Sequence, residues 1–442
     1  MKDRERPEQG GRPFLTLRSE LCVGCTHCLR VCPTEAIRIR QGKAEAMPHR
    51  CIQCGECLRV CPWEAWTVRV DPGEPVRQEE GSLGVLDPAV FGQFGDRDPG
   101  RVLEAFSEIG FSGAREMGEG LALYCQAAGH SMASGKAVPP FISSDCPAVV
   151  HLVQVKFPSL LENLLPIAPP YEIMAQRLKK ELEGGTAQNL CYVVPCLAKA
   201  EAAIEAITAE GAYHRVIPMA DLYNSLQAFL LRKGEESPSR RPTPSNLAVE
   251  WAFPGAQSKA LGIDLSLTVD GIHQVAGVLE LAENGLLEEV PFIEAWSCPG
   301  GCLGGSLNVR NPFWARFHLS SWVRKNRLRA EERLGGVGKA EESDVYILDR
   351  PFSARAGMRL DENLQAAMEK LRRIDEMVKR FPGIDCGACG CPTCLALAED
   401  VVQGYALETH CIYVLKGIKP PGTGIRKETS WERPPKSKGQ RR

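Results

Sequence analysis

The sequence predicts an α/β protein made of three parts: a small α+β module, a larger α/β domain and a small helical domain. Eight cysteines form two dense runs within the first 61 residues, strand-like and helix-like segments alternate over 82–355, and a third cysteine group follows an amphipathic segment. Strands that alternate with helices favour a parallel sheet whose loops gather at the carboxyl ends of the strands. The predicted parts are a cysteine module at 14–70, the α/β domain at 82–355, an amphipathic linker helix at 361–380, a cysteine domain at 381–415 and a disordered tail at 416–442.

The N-terminal cysteines form two copies of one pattern, C-x2-C-x2-C-x3-C-P, at Cys22, Cys25, Cys28 and Cys32, then at Cys51, Cys54, Cys57 and Cys61. Four thiolates this close together suit a [4Fe–4S] cubane, and the pattern resembles that of bacterial ferredoxins with two such clusters. In that family the fourth cysteine of each run binds the other cluster. The resemblance therefore implies a ferredoxin-like two-cluster module, with one cluster on Cys22, Cys25, Cys28 and Cys61 and a second on Cys51, Cys54, Cys57 and Cys32. A zinc ribbon and a disulfide knot are the alternatives, although zinc motifs usually separate their cysteine pairs by a long gap.

Composition narrows the classes of function. The net charge of −2 gives no electrostatic reason to expect binding to nucleic acid or to an anionic membrane. The first residues, MKDRERPEQGGRP, lack the apolar segment of a secretion signal, and no apolar run approaches the ~20 residues that span a bilayer. Nineteen cysteines without such a signal favour metal ligands in a reducing compartment over disulfides. We therefore expect a cytoplasmic protein that binds neither nucleic acid nor membrane.

Hydrophobic patterns predict the main strands and helices. Short strands at 14–17 and 66–70 are expected to open and close the first module, and 71–81 has the composition of a linker. In the α/β domain the predicted elements are strands at 82–90, 141–144 and 189–194, helices at 99–109 and 172–182, and an exposed Pro/Ser-rich loop at 233–246.

The clearest predicted helix spans 361–380. Its apolar residues recur at intervals of three and four, which describes a narrow seam along one face. The seam consists of Leu364, Ala367, Leu371, Ile374 and Val378. Packing against the preceding domain and pairing in a short coiled-coil dimer both explain such a seam, and two heptads alone would form a marginal dimer.

Three short segments of the α/β domain carry four more cysteines. The segments are SSDCP, VPCLAK and CPGGCLGG, and their cysteines are Cys146, Cys196, Cys298 and Cys302. The first two segments follow predicted strands, where ligands converge in an open α/β sheet. The glycines of the third let backbone N–H groups approach an anionic cluster closely. The residues alone therefore predict one further [4Fe–4S] site.

These segments resemble the H-cluster motifs of [FeFe]-hydrogenases, T-S-C-C-P, M-P-C-x-x-K and E-x-M-x-C-x-G-G-C-x-G-G, and the resemblance covers roughly 82–355. It implies an [FeFe]-hydrogenase-like α/β domain whose [4Fe–4S] cluster is bound by the four cysteines just named. It also implies that Cys302 bridges to a two-iron subsite that carries CO and cyanide, and that Lys199 hydrogen-bonds a cyanide. A cationic donor beside an anionic ligand forms a strong, charge-assisted bond.

The motifs also depart from the family. Asp145 stands where the family has its proton-shuttle cysteine. A carboxylate can carry protons, especially when burial raises its pKa, but Asp145 can equally cap a turn or a helix start. Glu119 matches the first glutamate of the family's proton relay. The other departures are Ala122 at the second glutamate, Leu165 at the relay serine, and Val194 and Trp296 at two methionine positions.

The C-terminal cysteines form the pattern C-x2-C-x4-C-x16-C at Cys386, Cys389, Cys394 and Cys411. The pattern resembles a small helical [4Fe–4S] domain found in electron-transfer complexes and beside regulatory hydrogenase-like domains, and a zinc site is the alternative. Cys391 is an extra thiol within it, either a bystander or a redox-linked alternative ligand. Cys125 and Cys191 are the remaining cysteines, for which packing is the default role.

The order of these parts resembles the sensory type of [FeFe]-hydrogenase. That resemblance implies four [4Fe–4S] clusters, a two-iron subsite and slow reversible conversion of 2H⁺ + 2e⁻ to dihydrogen. The implied partners are a redox protein such as ferredoxin, hydrogenase maturation proteins and a separate signalling partner, since the sequence carries no kinase, phosphatase or DNA-binding signature. Two alternatives remain: an electron-transfer or scaffold protein without the two-iron subsite, and an ordinary hydrogenase that uses Asp145 for protons.

Overall fold

The computed structural model describes residues 15–68, 81–182, 189–210, 213–232, 243–330, 346–348 and 352–418. The chain divides into two compact units, Met1–Met358 and Arg359–Arg442, and each is described by itself below. Most of the predicted linker at 71–81, of the loop at 233–246 and of the tail at 416–442 lies outside the described residues. Within the described part of the chain, no helix combines the length and the apolar character needed to cross a membrane.

The first unit begins with a small α+β module in which short strands and one-turn helices alternate. The first strand pairs antiparallel with the fourth, and the second with the third. The predicted terminal strands are present within the described residues. The elements are β1 (Leu15–Leu17), α1 (His27–Arg30), β2 (Ile37–Arg40), β3 (Lys43–Ala46), α2 (Glu56–Arg59) and β4 (Trp66–Val68).

Two parallel sheets follow, which confirms the predicted α/β class. The four-stranded sheet has the order β6-β5-β8-β9 and the three-stranded sheet has the order β10-β11-β7. All neighbouring strands in both sheets run parallel. The strands are β5 (Leu83–Leu86), β6 (Gly113–Arg115), β7 (Phe141–Ile142), β8 (Leu190–Val194), β9 (Arg215–Pro218), β10 (Leu267–Asp270) and β11 (Phe292–Trp296).

Helices connect the strands and cover the sheets, as parallel connections require. The predicted helices at 99–109 and 172–182 are present with similar bounds. The helices are α3 (Pro99–Glu108), α4 (Gly118–Ala133), α5 (Pro147–Lys156), α6 (Pro170–Leu182), α7 (Leu197–Glu210), α8 (Met219–Arg232), α9 (Asn246–Glu250), α10 (Ala256–Ala260), α11 (Ile272–Glu283) and α12 (Pro312–Ala330).

The strand predicted at 82–90 is too long. The strand β5 ends at Leu86, and Pro88–Phe94 forms a 3-10 helix. Asp87 causes the change of direction, because its carboxylate accepts a hydrogen bond from Ala89 N at 3.0 Å and Pro88 suits a first helical position. The strand predicted at 141–144 is likewise shorter, since β7 ends at Ile142. Both early endings leave polar residues at the carboxyl ends of buried strands.

Two clusters of buried apolar side chains pack around the two sheets. The larger surrounds the four-stranded sheet and includes the fully buried rings of Phe91, Phe106 and Trp251. The smaller lies at the three-stranded sheet and includes Val149 and Ile293. Burial of such side chains stabilises a fold by about 1.5–3 kcal/mol each, so the loops at the strand ends rest on a rigid base.

In its described residues, the second unit has three α-helices and a 3-10 helix (Glu408–His410) around a small apolar core. The α-helices are α13 (Leu364–Arg380), α14 (Cys394–Val402) and α15 (Ile412–Lys416). The helix predicted at 361–380 begins three residues later, because Asn363 caps it by accepting hydrogen bonds from Gln365 N and Ala366 N.

The apolar seam of α13 packs over its second half only. Ile374 and Met377 are buried in one core with α14, whereas Leu364 is 77% and Leu371 50% exposed. The packing partner of the buried half is thus the C-terminal domain itself. The seam in the sequence did not identify this surface, and packing of the exposed half against the preceding domain or in a coiled-coil dimer stays a prediction.

Gly24 and Gly42 allow a matched test of the N-terminal module. Both have a positive φ, but a Cβ on Gly24 would lie 2.5 Å from the Gly42 carbonyl oxygen, whereas a Cβ on Gly42 would meet nothing within 4 Å. An L side chain in the left-handed region costs roughly 1–2 kcal/mol. We expect Gly24→Ala to lower the apparent melting temperature clearly more than Gly42→Ala, measured by thermal unfolding of the full chain. Equal losses would show that the close approach is not maintained in solution.

Candidate iron–sulfur centres

The structure brings the fourth cysteine of the second run to the first three of the first run. Cys22, Cys25, Cys28 and Cys61 line one cavity with an empty volume of about 310 Å³. Backbone N–H groups point at two of these sulfurs, from Ala44 to Cys22 at 3.4 Å and from Ala65 to Cys61 at 3.3 Å. This is the ligand set that the ferredoxin resemblance implied for the first cluster.

The other four N-terminal cysteines lie close enough to influence one another. Burial raises the pKa of the Cys54 thiol well above its usual value, and the charges of Cys32, Cys57 and Cys51 raise it further. Ala36 N donates to Cys32 Sγ at 3.1 Å, which repeats in the first run the contact that Cys61 makes in the second. The four thiols of the second predicted set therefore lie near one another, and their binding of a shared cluster stays a prediction.

Three loops from two different sheets bring the central cysteines together. Cys146 forms the N-cap of α5 after β7, Cys196 follows β8, and Cys298 and Cys302 follow β11. These four thiols line a shared cavity of about 360 Å³ empty volume, together with Lys199 and Trp296. The carboxyl ends of parallel strands thus converge as predicted, although β8 belongs to one sheet and β7 and β11 to the other.

The donor chemistry of this cavity fits a [4Fe–4S] cluster. Its walls carry the thiols of the four central cysteines, a fifth thiol from Cys54, and the glycine-rich backbone of Gly301 and Gly305. Gly305 must lack a side chain, because a Cβ there would overlap the carbonyl oxygen of Pro195 in the second motif. Within the described residues, no group of three or more His, Cys, Asp and Glu side chains is placed so that it could hold a single metal ion.

Burial keeps the Cys146 and Cys302 thiols protonated when no metal is bound. It raises the pKa of Cys146 to about 11 and that of Cys302 well above its usual value, even though the Lys199 charge acts in the opposite direction on Cys302. Iron binds thiolates, so cluster assembly must release these protons.

A buried ion pair adjoins the cavity. Lys199 Nζ lies 2.8 Å from Asp87 Oδ2 and 3.9 Å from Asp145 Oδ2, and the Tyr192 hydroxyl donates to Asp87 Oδ2 at 2.9 Å. Burial disfavours the ammonium, but the charges of Asp145 and Asp87 outweigh it and hold the Lys199 pKa well above its ordinary value. Asp87 belongs to no recognisable motif, and the sequence marks it only by an Asp-Pro pair at the end of a strand.

Asp145 is fully buried and anchored from one side. Its Oδ2 accepts a hydrogen bond from Trp251 Nε1 at 2.9 Å, and its Oδ1 has no hydrogen-bond partner in the part of the chain that the structure describes. Burial raises the pKa of this carboxyl, while the Lys199 charge lowers it. The capping role considered for Asp145 is wrong, because the N-cap of α5 is Cys146 and no side chain caps that helix.

Glu119 lies away from the central cavity. It sits in the first turn of α4 with a half-exposed side chain, and its Oε1 pairs with Arg177 Nη2 at 2.6 Å. It is not among the residues that line the cavity. Leu165, at the relay-serine position, is fully buried and apolar. The described residues therefore do not join Glu119 to the cysteines.

Glu294 and Trp296 have structural partners that the motif did not reveal. The Glu294 carboxylate accepts hydrogen bonds from Gly255 N at 2.7 Å, Ser258 N at 2.8 Å and Trp296 Nε1 at 2.9 Å. It thereby ties the first turn of α10 to β11 and orients the indole that lines the cavity. A tryptophan at a methionine position is thus accommodated by the neighbouring glutamate.

The C-terminal cysteines surround a third cavity, of about 300 Å³ empty volume. Its lining includes the extra thiol as well as the predicted ligands Cys386, Cys389, Cys394 and Cys411. Cys391 is fully buried and its Sγ donates to Asp400 Oδ2 at 3.4 Å. Five thiols therefore face a space where four were expected, and both roles considered for Cys391 remain open.

The family comparisons match segments that contain every predicted cysteine ligand except Cys298 and Cys302. Residues 15–62 match the 4Fe–4S dicluster domain, and 83–248 match the iron only hydrogenase large subunit, C-terminal domain. The α/β domain of the chain is thus similar to this hydrogenase domain, and its N-terminal module is similar to dicluster iron–sulfur domains. Residues 381–413 match a family of Fe–S cluster domains.

Solved [FeFe]-hydrogenases are similar to the hydrogenase-like protein at low identity. A HydA structure that reveals stepwise H-cluster assembly is 15% identical, and a variant of HydA1 from Chlamydomonas reinhardtii is 16% identical. Each match covers 64% of this chain and 96% of the other, with a TM-score of 0.44. No curated protein matched the sequence.

Replacing a central cysteine tests the ligand set. We expect Cys146→Ala to remove about four irons per chain from the reconstituted protein, since one [4Fe–4S] cluster loses a ligand. Cys191→Ala is the control, because Cys191 is a buried thiol of the same domain that does not line the cavity. Iron and sulfide analysis of both variants measures the difference. Equal iron contents would contradict the assignment of Cys146.

Proposed function

We propose that this hydrogenase-like protein is a slow, sensory oxidoreductase of the cytoplasm that interconverts 2H⁺ + 2e⁻ and dihydrogen. The observation that carries the proposal is the shared cavity of Cys146, Cys196, Cys298 and Cys302, with Lys199 in its wall. These cysteines would bind a [4Fe–4S] cluster, and Cys302 would also bridge to a two-iron subsite with CO and cyanide ligands. When bound, that subsite supplies the centre at which protons and electrons combine.

The position of Lys199 supports recognition of an anionic ligand. Its ammonium has three donors, and the structure gives one of them to Asp87 at 2.8 Å. Tyr192 holds Asp87 in turn, so the ammonium has a fixed location at the cavity wall. A buried cation at a fixed place binds an anion strongly, since little reorganisation is needed. Lys199 would donate one of its remaining hydrogens to a cyanide.

The location of Cys54 supports an electron route. It belongs to the second predicted ferredoxin cluster and also lines the central cavity. Electrons from a redox partner such as ferredoxin would pass through the two N-terminal clusters to the central one. With the C-terminal cluster the chain would hold four [4Fe–4S] clusters, and the C-terminal domain would serve a separate signalling partner.

Restricted proton access supports a slow reaction. Asp145 is held by Trp251, Glu119 pairs with Arg177 at the surface, and Leu165 offers no exchangeable proton. General acid–base help typically contributes 10²–10⁴-fold to a rate. A protein without an assembled relay would turn over slowly, which suits a dihydrogen sensor better than a bulk catalyst. Hydrogenase maturation proteins would have to supply the two-iron subsite.

One observation favours a second function, that of an electron-transfer or scaffold protein without the two-iron subsite. Asp87 satisfies the charge of Lys199 within the protein itself, at 2.8 Å. A buried lysine normally needs such a partner. The cavity wall is therefore electrostatically complete with no cyanide bound.

Infrared spectroscopy separates the two functions. Anaerobic protein with reconstituted [4Fe–4S] clusters would be incubated with a synthetic two-iron precursor, with Cys302→Ala as the control that lacks the bridging thiol. We expect CO and cyanide bands shifted from those of the free precursor in the wild type only. Absence of protein-bound bands, with iron and sulfide matching four cubanes, would establish the electron-transfer alternative.

The role of Asp145 has its own test. Asp145→Asn keeps an acceptor for Trp251 but removes the exchangeable proton. We expect dihydrogen evolution by the fully loaded variant to stay within a few-fold of the wild-type rate, because the carboxyl is anchored and no described relay reaches it. A loss on the order of 10²–10⁴-fold would identify Asp145 as the proton carrier of an ordinary hydrogenase.

A further inference from the structure

Arg59 connects the ferredoxin-like module to the central cysteine site. It ends α2, between Cys57 and Cys61. Its Nη2 lies 3.1 Å from Cys298 Sγ and 2.6 Å from the carbonyl oxygen of Gly304, and its Nη1 pairs with Glu56. One guanidinium therefore contacts a predicted ligand of the central cluster and the glycine-rich loop that carries it.

Neighbouring contacts hold this guanidinium in place. Gly55, the residue before α2, approaches Ser306 so closely that a Cβ would lie 2.7 Å from the serine Cβ. The Ser306 hydroxyl in turn accepts a hydrogen bond from Leu197 N at 3.3 Å, beside Cys196. The start of α2 therefore packs against Leu197 of the second central motif and against Ser306, which follows the third. These contacts fix the helix from which the Arg59 side chain extends.

An internal repeat supplies the comparison residue. The segment Cys-Leu-Arg-Val-Cys-Pro occurs in both cysteine runs, with Arg30 in the first and Arg59 in the second. Arg30 ends α1 and Arg59 ends α2, and both residues are exposed. The Arg59 side chain is nevertheless only 26% exposed, and its Nη2 lies 3.1 Å from Cys298 Sγ. Arg30 is therefore a control at the same repeat position, in the run whose cysteines do not line the central cavity.

The charge of Arg59 acts on the two oxidation states of a cluster unequally. Four thiolates already make a [4Fe–4S] cluster anionic, and reduction adds one more negative charge. A cationic N–H donor at a ligand sulfur stabilises the reduced state more, and partial burial limits solvent screening of this effect. Hydrogen bonds to the sulfurs are among the factors that set cluster potentials.

We propose that Arg59 is a positioning residue that raises the reduction potential of the central cluster and aligns it with the second ferredoxin cluster. The proposal for Arg59 rests on the proposed function, because it requires that Cys298 binds the central cluster. The step is the transfer of one electron from the reduced second cluster to the oxidised central cluster, with no bond formed or broken. Arg59 makes this transfer more favourable by stabilising its product.

Redox titration followed by electron paramagnetic resonance tests the proposal on the full chain loaded with [4Fe–4S] clusters alone. The central signal is the one that Cys146→Ala removes. We expect Arg59→Ala to shift its midpoint to lower potential by about 59 mV, the one-electron equivalent of a tenfold weaker preference for the reduced state. Arg59→Lys keeps the charge but not the fork to Cys298 and Gly304, so its shift should be smaller. Arg30→Ala should leave the central signal unchanged.

An unchanged midpoint in Arg59→Ala, with every cluster signal present, would overturn the proposal while leaving the proposed function intact. If the spectrum of Cys146→Ala contains every cluster signal of the wild type, no central cluster exists. The proposal for Arg59 and the proposed function then fail together. If Arg59→Ala cannot hold the central cluster, Arg59→Gln retains an amide donor without the charge. A lowered midpoint in that variant supports the proposal and a wild-type midpoint refutes it.

Discussion

The central site depends on one constraint, that loops from two separate parallel sheets must meet at a single cavity. Cys146 and Cys298 follow neighbouring strands of the three-stranded sheet, while Cys196 follows β8 of the other sheet. The loops stay together through close backbone contact at Gly305 and through the hydrogen bonds that Glu294 collects from α10. A small error in the packing of the sheets would separate the thiols, because a cubane needs all of its ligands at fixed distances.

Burial also requires that the charge of Lys199 in the cavity wall be balanced. Lys199 is only 3% exposed, and a buried ammonium is tolerated only with compensating charge. Asp87 supplies that charge directly and Asp145 lies a little farther away. This ion pair fixes a cation beside a site built for an anionic cluster, whether or not a cyanide is also bound there. It also explains why Asp145, next to a predicted ligand, is engaged by Trp251 and does not open towards solvent.

Within the first unit, the ferredoxin-like module contributes residues to the surroundings of the central site. Cys54 lines the central cavity, and Arg59 and Gly55 contact the glycine-rich loop. The second cysteine run is therefore shaped for docking, although it has the same spacing as the first. The C-terminal domain forms a compact unit of its own with a separate thiol-lined cavity.

The sequence by itself determined the α/β class and the positions of the cysteine motifs, because both follow from periodicity and local spacing along the chain. The interleaved pairing of the two N-terminal runs came only from the resemblance to ferredoxins. Only the tertiary structure revealed the partners of Lys199 and Arg59, since these lie 112 and 239 residues away along the chain. The tertiary structure also showed that Glu119 pairs with Arg177 and that Cys391 lines the C-terminal cavity. Such contacts depend on how whole elements pack, and no local pattern encodes which surfaces meet.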